Sequence, residues 1–321
     1  MSVDARPMYE LSVVVPVYQG EHSLEALAGE VSLLASEQFT PAGRPFRVVE
    51  MILVHDGAVD DSAKTMRTLA ARYGFVRPLW LSRNFGQHAA TLAGMASSVG
   101  DWVVTIDEDG QHDPADVGRL LDCALERQVR LVYAAPTNAP PHGNVRNAAS
   151  ATAKWISSHL LGSPIGRFNS FRLIEGEVAR GVAAYCGANV YIDIALSWVV
   201  GETGYGAVAL REERGRRRSG YTVRRLLHHF WQLALTSGTV PLRLVSIVGV
   251  IAIVTAFVFS GIVIWQRVYR EIPVQGWAST ITVISLFAGI TLLAIGIIAE
   301  YLGIAVSMAM GKPPYLIVSR P

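Results

Sequence analysis

Two long uncharged segments near the C-terminus constrain the fold of this chain more than any other feature. Residues 244–266 and 277–299 contain no Asp, Glu, Lys or Arg. About 20 consecutive apolar residues are enough for a helix to cross the hydrocarbon core of a bilayer. Both segments are apolar on every face, whereas a surface helix of a soluble domain carries one apolar stripe. We therefore favour two transmembrane helices over two buried core helices, in agreement with a mean hydropathy of +0.32.

The basic residues around these segments predict their orientation. Two spans place both ends of the region on one side of the membrane. Arg243 precedes the first span, Lys312 and Arg320 follow the second, and Arg267 and Arg270 lie in the short connection. Counted with the further arginines upstream of Arg243, the positive-inside rule places both termini in the cytoplasm. Because the N-terminus lacks the apolar core of a signal peptide, we expect the first two hundred residues to fold in the cytoplasm. Together with the two spans, this predicts a multi-pass protein of the plasma (inner) membrane.

The first part of the chain alternates predicted strands with predicted helices, which indicates an α/β fold with a mostly parallel, Rossmann-like sheet. Pro16 is expected to end the first strand. Apolar, β-branched runs predict strands at 11–15, 48–54, 79–81, 102–106, 130–133, 168–174 and 205–211, and helical spacing predicts helices at 23–36, 60–71, 87–98, 114–127 and 147–161. We divide the chain into an α/β domain (1–213), a juxtamembrane segment (214–240) and a two-span region with a short cytoplasmic tail (241–321).

The acidic sequence Asp107-Glu108-Asp109 stands where the predicted strand 102–106 ends. In an open α/β sheet, ligands bind outside the carboxyl ends of the strands. Two carboxylates at positions i and i+2, followed by a turn at Gly110, can hold one hard divalent cation and leave coordination positions for phosphate oxygens. The pattern is short and also occurs in solvated turns, but at this position it points to a nucleotide-diphosphate substrate.

A basic block precedes the first predicted span. Guanidinium groups bind phosphate in bidentate fashion, so the block suits a phosphate clamp. It equally suits anionic lipid head groups, and we expect different arginines to serve each purpose, with Arg216 at the surface. Residues 224–236 predict a basic amphipathic helix lying in the membrane interface. Nucleic-acid binding is not expected, because the block is short and adjoins a span. The block consists of Arg211, Arg214, Arg216, Arg217, Arg218, Arg224 and Arg225.

Five motifs occur in a characteristic order along the chain. They are Val13 to Tyr18, His55-Asp56-Gly57, Ser82 to Gly86, Asp107 to His112 and Arg214 to Tyr221, and Gly296 to Gly303 and Pro313 to Val318 follow at the C-terminus. In this order the chain resembles the family 2 glycosyltransferases of the GT-A fold. Within that family it is similar to the polyprenyl-phosphate glycosyltransferases of the two-span bacterial type, the group of dolichol-phosphate mannose synthase and bactoprenol glucosyltransferases.

The resemblance implies a role for each matching residue. Asp107 and Asp109 would bind Mg²⁺ or Mn²⁺ and, through it, the diphosphate of the donor. Arg214 would approach the diphosphate or the acceptor phosphate, and with Asp109 it is the main catalytic candidate. Glu108 would contact the ribose side through its backbone. The remaining candidates for donor or acceptor binding are Pro16 and Tyr18 at the nucleoside pocket, Asp56 at the base or ribose, Glu21, Arg83, Gln111, Arg217, Arg218, Ser219 and Tyr221.

Some positions depart from the family pattern. His55 stands where two adjacent acids are common, and Gly220 replaces a frequent lysine. Ser170 occupies a position where some relatives carry an Asp proposed as a catalytic base. Asp193 is the best substitute for that base, although an ordinary helix acid explains it equally well. A lipid phosphate is mostly ionised at neutral pH, because its second pKa is near 6, so the reaction requires positioning of the nucleophile more than its deprotonation.

The resemblance implies inverting transfer of a sugar from a nucleotide-sugar donor to polyprenyl (undecaprenyl-type) phosphate at the cytoplasmic face of the membrane, for modification of cell-envelope glycans. One alternative is a non-catalytic membrane scaffold that binds a nucleotide or a partner protein. The presence of both Asp107 and Asp109 argues against it. Another is a processive polysaccharide synthase, for which two spans are too few. The sugar, the nucleobase and a homo-oligomeric state supported by small residues in the membrane helices are left open.

Overall fold

A computed structural model describes residues 8–138, 169–187, 190–211, 240–270 and 276–319. The predicted helix at 147–161, the motif from Arg214 to Tyr221 and the predicted amphipathic helix at 224–236 lie outside these residues. Two compact units are present. The described part of the first unit contains residues up to 211 together with residues 312–319, and that of the second contains residues 240–270 and 276–311.

The first unit is built on one mixed sheet, whose strands in the described residues run in the order β8-β6-β7-β5-β1-β3-β4-β9, with β2 paired to β3. The strands are β1 (Tyr9–Val17), β2 (Gln38–Phe39), β3 (Pro45–His55), β4 (Val76–Leu81), β5 (Trp102–Thr105), β6 (Leu131–Pro136), β7 (Arg172–Glu175), β8 (Gly204–Val208) and β9 (Ile317–Val318). The helices are α1 (Leu24–Ser32), α2 (Ser62–Arg72), α3 (Gln87–Ala96), α4 (Val117–Arg127), α5 (Gly176–Tyr185) and α6 (Ile192–Val199), with a 3₁₀ turn at Pro114–Asp116.

The central strands β5, β1, β3 and β4 are parallel, as predicted. The later strands are not all parallel, because β7 runs antiparallel to both β5 and β6. Its first residue, Arg172, pairs with Thr105, the last residue of β5. The chain therefore enters β7 at the edge where β5 ends, and the preceding Ser170 comes to lie beside the acidic sequence. Strand direction of this kind is not encoded in the apolar pattern.

Pro16 does not end β1, contrary to the sequence-based expectation. The strand continues to Val17, and Pro16 pairs with Val54 of β3. The carbonyl of Val14 accepts from Ile106 on one side, and the carbonyl of Val17 accepts from Asp56 on the other. Because successive residues of a strand direct their backbone groups to opposite sides, the nitrogen of Pro16 faces the β5 side, where β5 has already ended. The missing N–H of Pro16 therefore removes no hydrogen bond between strands.

Helices cover both faces of the sheet. On one face, α1, α2 and α4 supply buried side chains such as Leu27, Met66 and Leu120. On the other, α3, α5 and α6 supply side chains such as Ala93 and Leu196. The four helices predicted between residues 23 and 127 are present, with ends that differ from the predicted ones by up to four residues, whereas α5 and α6 were not delimited by the sequence pattern.

The second unit contains two long helices, α7 (Val240–Arg270) and α8 (Trp277–Ala309). In the described residues, one segment is long and apolar enough to cross a membrane, and it is Leu286–Val306 within α8. The apolar stretch in α7 is shorter, Ile247–Phe259. The number of transmembrane helices therefore stays a proposal, and the candidate span in α8 lies further along the chain than the predicted 277–299.

Candidate active site

The candidate site lies where β1, β3 and β5 end side by side. Val17 of β1 pairs with His55 of β3, and Val14 of β1 pairs with Thr105 of β5. The residues that follow these strands are Tyr18, Asp56 and Asp107, three of the predicted site residues. The sheet thus brings together, at one edge, segments that are distant in sequence.

Asp107 is held by two side chains that donate to its two oxygens. Gln87 Nε2 donates to Oδ1 at 2.6 Å, and Ser170 Oγ donates to Oδ2 at 2.6 Å. Burial raises the pKa of the Asp107 carboxyl, the nearby Asp109 carboxylate also raises it, and His112 and the Ser170 hydrogen bond oppose the rise. A cation placed between the two carboxylates would relieve their mutual repulsion.

Asp109 has one oxygen engaged and one available. Its Oδ1 accepts from the backbone N–H of Gln111 at 3.0 Å. No donor reaches Oδ2 from the described part of the chain. Within that same part, no group of three or more His, Cys, Asp or Glu side chains forms a ready-made metal cluster. Two carboxylates with open positions fit a hard divalent cation that also takes phosphate oxygens, so the residues present are compatible with the expected Mg²⁺ or Mn²⁺.

The side chain of Glu108 binds the turn after β1. Its two carboxylate oxygens accept from the backbone N–H groups of Tyr18 and Gln19, each at 3.0 Å. The side chain is buried. A Cβ atom at Gly20 would lie 2.7 Å from Glu108 Oε2, so the close approach requires glycine there. The expected backbone contact of Glu108 with a ribose stays a prediction; the positioning role of its side chain was missed.

Asp56 fixes the loop between β4 and α3 (residues 82–86). Its two oxygens accept from the backbone N–H groups of Phe85 at 2.6 Å and Gly86 at 2.8 Å. Burial raises the pKa of the Asp56 carboxyl, and the two backbone hydrogen bonds oppose the rise. Arg83, which is exposed, places its guanidinium 4.3 Å from the centre of the Phe85 ring. Asp56 and Arg83 therefore lie at the edge of the sheet where the donor site was predicted. Both oxygens of Asp56 already accept hydrogen bonds from the backbone.

Glu21 lies in the turn that follows Tyr18. Its backbone N–H donates to Asp60 Oδ2 at 3.2 Å, and its carboxylate accepts from the backbone N–H of Asp61 at 3.4 Å. Tyr18 itself is 40% exposed. Pro16 is buried within β1. Of these residues, Tyr18 therefore presents the most accessible side chain at the end of the first strand.

Asp193 is buried in a polar network beneath the site. It forms an ion pair with Arg172, and it accepts from Tyr133 Oη at 2.9 Å. Arg172 Nε also donates to Thr105 Oγ1 at 2.9 Å, and Thr105 Oγ1 donates to the carbonyl of Ser170 at 2.5 Å. The network thus continues to Ser170, the residue that donates to Asp107. Both partners of the ion pair are nearly inaccessible, with 5% and 12% of their side chains exposed.

Two buried histidines flank the site. The rings of His112 and Phe171 are tilted against each other with centres 5.1 Å apart, and those of His55 and Trp80 are tilted with centres 5.3 Å apart. In each ring, Nδ1 is buried and has no hydrogen-bond partner among the described residues. Burial lowers the pKa of His55, and the Asp60 carboxylate opposes this effect.

Gln111 links the acidic segment to the start of the basic block. Its backbone carbonyl accepts from the N–H of Arg211 at 2.8 Å. The guanidinium of Arg211 pairs with Glu30 at 3.0 Å and with Asp113. Arg211, the last described residue before the gap at 212–239, therefore lies beside the acidic segment. The candidates Arg214, Arg217, Arg218, Ser219 and Tyr221 lie outside the described residues, and their roles stay predictions.

The sequence matches glycosyl transferase family 2 over residues 12–189. The chain belongs to this family. It is similar to the undecaprenyl-phosphate 4-deoxy-4-formamido-L-arabinose transferase of Pseudomonas aeruginosa, with 30% identity over 97% of this chain and 90% of the relative. It is also similar to the bactoprenol glucosyl transferase of Shigella phage SfX, with 29% identity over 97% of this chain and 99% of the relative.

The fold of this family 2 glycosyltransferase also has a counterpart among solved structures. The mannosyl-3-phosphoglycerate synthase from Rubrobacter xylanophilus superimposes with a TM-score of 0.50 and 16% identity, over 71% of this chain and 72% of that chain. At this identity the likeness concerns the fold alone. It confirms the predicted GT-A-like α/β architecture, with the sheet mixed rather than mostly parallel.

Proposed function

We propose that this glycosyltransferase transfers one sugar from a nucleotide-sugar donor to polyprenyl phosphate of the undecaprenyl type, at the cytoplasmic face of the membrane and with inversion at the anomeric carbon. The observation that carries the acceptor assignment is the similarity along 97% of the chain to relatives named for undecaprenyl phosphate and bactoprenol. The product would be a lipid-linked sugar for modification of cell-envelope glycans.

Asp107 and Asp109 would hold the divalent cation, Mg²⁺ or Mn²⁺. When bound, such a cation supplies positive charge that stabilises the departing nucleoside diphosphate. Gln87 and Ser170 fix the carboxylate of Asp107 from both sides, and the backbone N–H of Gln111 fixes that of Asp109. The two ligands are therefore held in place before substrate binds, which lowers the cost of organising the charged site during the reaction.

The turn from Tyr18 to Gly20 and the loop at 82–86 would form the walls of the donor pocket. Glu108 holds the turn, and Asp56 holds the loop, in each case by two backbone N–H groups. Charge-assisted hydrogen bonds of this kind are about twice as strong as neutral ones. Both carboxylates would thus act by positioning main chain against the nucleotide.

The acceptor needs no dedicated base in this proposal. The second pKa of a phosphate monoester is near 6, so the lipid phosphate is mostly a dianion at neutral pH. Asp193 is already engaged by Arg172 and Tyr133, and we assign it to positioning, through Arg172, rather than to proton transfer. Arg214, Arg217 and Arg218 are proposed to bind the phosphates, in agreement with the strong bidentate pairing of guanidinium with phosphate.

The membrane would hold the apolar tail of the acceptor. The segment Leu286–Val306 is long and apolar enough to span the bilayer, and the sequence supports a second span in α7 with both termini cytoplasmic. A catalytic unit tethered at the membrane surface meets a lipid phosphate whose head group lies at that same surface. The tether would therefore raise the effective concentration of enzyme and acceptor for each other.

A transfer assay with the purified full-length protein in detergent tests this function. The protein is given undecaprenyl phosphate, Mn²⁺ and a panel of labelled UDP-, GDP- and dTDP-sugars, and the lipid product is identified by mass spectrometry. Undecaprenol without phosphate is the matched acceptor control. The proposal predicts a monophosphate-linked sugar from one donor and none with undecaprenol. A folded protein that binds nucleotide but forms no lipid product with any donor would instead support the scaffold alternative.

A further inference from the structure

The C-terminal tail (residues 312–319), which follows the long apolar helix α8, returns to the catalytic sheet. Its strand β9 pairs antiparallel with β4, with Val318 opposite Trp80 and Ile317 opposite Leu81. The carbonyl of Leu316 accepts from the backbone N–H of Ser82 at 2.9 Å. Without the tail, β4 would be an edge strand with unpaired backbone groups.

Two side chains of the tail anchor it on opposite faces of the sheet. Val318 packs against the core cluster beneath α1 and α2, and Tyr315 packs against the cluster beneath α3 and α5. The two residues between them point outward, with Leu316 54% and Ile317 42% exposed. The tail is therefore held at the edge of the sheet by its pairing with β4 and by one partly buried side chain on each face.

The position of this pairing connects the tail to the candidate metal ligands. Ser82, which donates to the tail, is the first residue of the loop at 82–86. The far end of the loop is held by Asp56 through Phe85 and Gly86. The next residue, Gln87, donates to Asp107 at 2.6 Å. The loop is thus fixed at one end by the tail and at the other by Asp56, and it leads directly into a contact with Asp107.

We propose that the C-terminal tail is a positioning element of the donor site, which fixes the loop at 82–86 and thereby holds Gln87 against Asp107. This inference rests on the proposed function in one respect, namely that the metal and donor bind at Asp107 and Asp109. A segment that follows the membrane region would then be part of the active-site architecture, and not only the end of an anchor.

The test compares two double variants of the full-length protein in detergent. Tyr315→Ala/Val318→Ala removes the partly buried anchors, and Leu316→Ala/Ile317→Ala removes an equal number of exposed side chains while leaving the anchors in place. Hydrogen–deuterium exchange is followed on the peptide that contains Phe85 and Gly86, and Mn²⁺ binding is followed by electron paramagnetic resonance. The single variant Val318→Ala is used if the first double variant does not fold.

The anchor variant is expected to exchange the Phe85 and Gly86 amides about tenfold faster, because they open more readily once the start of the loop is released. Its Mn²⁺ affinity is expected to fall about threefold to tenfold, on the scale of losing one hydrogen bond. The control variant should match wild type in both readouts. Lower thermal stability of the anchor variant with unchanged exchange and Mn²⁺ affinity would overturn the proposal, because the tail would then only cover the edge of the sheet. Failure of the transfer reaction itself would leave both readouts measurable, so the two proposals fail separately.

Discussion

The buried pair of Arg172 and Asp193 gives the sharpest prediction about the architecture under the site. In Asp193→Asn, the buried guanidinium of Arg172, with a side chain only 5% exposed, loses the carboxylate that pairs with it. Removing one partner of a buried ion pair costs about 3–5 kcal/mol of unfolding free energy. For a domain of about 150–250 residues, each kcal/mol lowers Tm by about 2–4 °C. The expected loss is therefore about 6–20 °C.

The assay is thermal unfolding of the full-length protein in detergent, together with the pH profile of kcat well below Tm. The double variant Arg172→Met/Asp193→Leu serves as the matched control, because replacing a buried ion pair by apolar residues of similar volume is often neutral. It should recover most of the lost Tm, less the cost of removing the Asp193 acceptor from Tyr133 and the Arg172 donor from Thr105, whose hydroxyl keeps its bond to the carbonyl of Ser170. The pH profile of Asp193→Asn should keep its shape. Normal stability combined with loss of an ionisation from the kcat profile would refute the positioning role and identify Asp193 as the base.

Three further substitutions and one matched control test other features of the structure. Glu108→Gln leaves only one oxygen for the two N–H groups of the turn after β1, so the donor KM should rise about tenfold, as for the loss of one charge-assisted hydrogen bond, and an unchanged KM would exclude the positioning role. Burial lowers the pKa of His55, so as pH falls the unfolded state takes up this proton at a higher pH than the folded state does. Wild-type stability should therefore fall as pH drops below about 6.5, and His55→Phe should reduce this loss of stability at acid pH. Gly94→Ala would place a Cβ 2.3 Å from Val14 Cγ1 and should lower the free energy of unfolding by about 1–3 kcal/mol, which is measured as a lower Tm. The matched control Gly29→Ala, where the added Cβ meets open space, should be neutral or stabilising by up to about 1 kcal/mol. Equal Tm values for the two variants would contradict the described packing.

The sequence pattern predicted those helices and strands that depend mainly on residues close together in the chain. The strand before Asp107 and the helices at 60–71 and 114–127 were recognisable because apolar spacing acts within a few positions. Pro16 was misjudged because the cost of a missing N–H depends on whether a neighbouring strand extends that far, which is a tertiary property. The direction of β7 and the pairing of β9 with β4 likewise depend on contacts between residues that are distant in the chain.

In the candidate site, too, features that depend on local sequence could be predicted, and contacts between distant residues could not. The shared position of Asp107, Asp109 and Asp56 could be predicted from their places after strands, because the parallel sheet collects such positions at one edge, whereas their roles stay predictions. The use of Glu108 to hold the turn after β1 could have been suspected from the glycine at position 20, which allows a close approach, but its partners are 89 and 90 positions away in sequence. The linkage from Asp193 through Arg172 to Ser170 has no signature in spacing at all.

The most direct test of the central claim is the cation dependence of lipid-linked product formation. Wild type, Asp109→Asn and the neighbouring control Asp113→Asn are stripped with EDTA, given the active donor and undecaprenyl phosphate, and titrated with Mn²⁺, with product scored in the organic phase. The account predicts that wild type and Asp113→Asn recover activity with Mn²⁺, and that Asp109→Asn remains at least about a hundredfold lower at saturating Mn²⁺, on the scale of losing an electrostatic contribution to the transition state. Full activity of Asp109→Asn, or of wild type in EDTA, would contradict the assignment of Asp107 and Asp109 as the metal and diphosphate site.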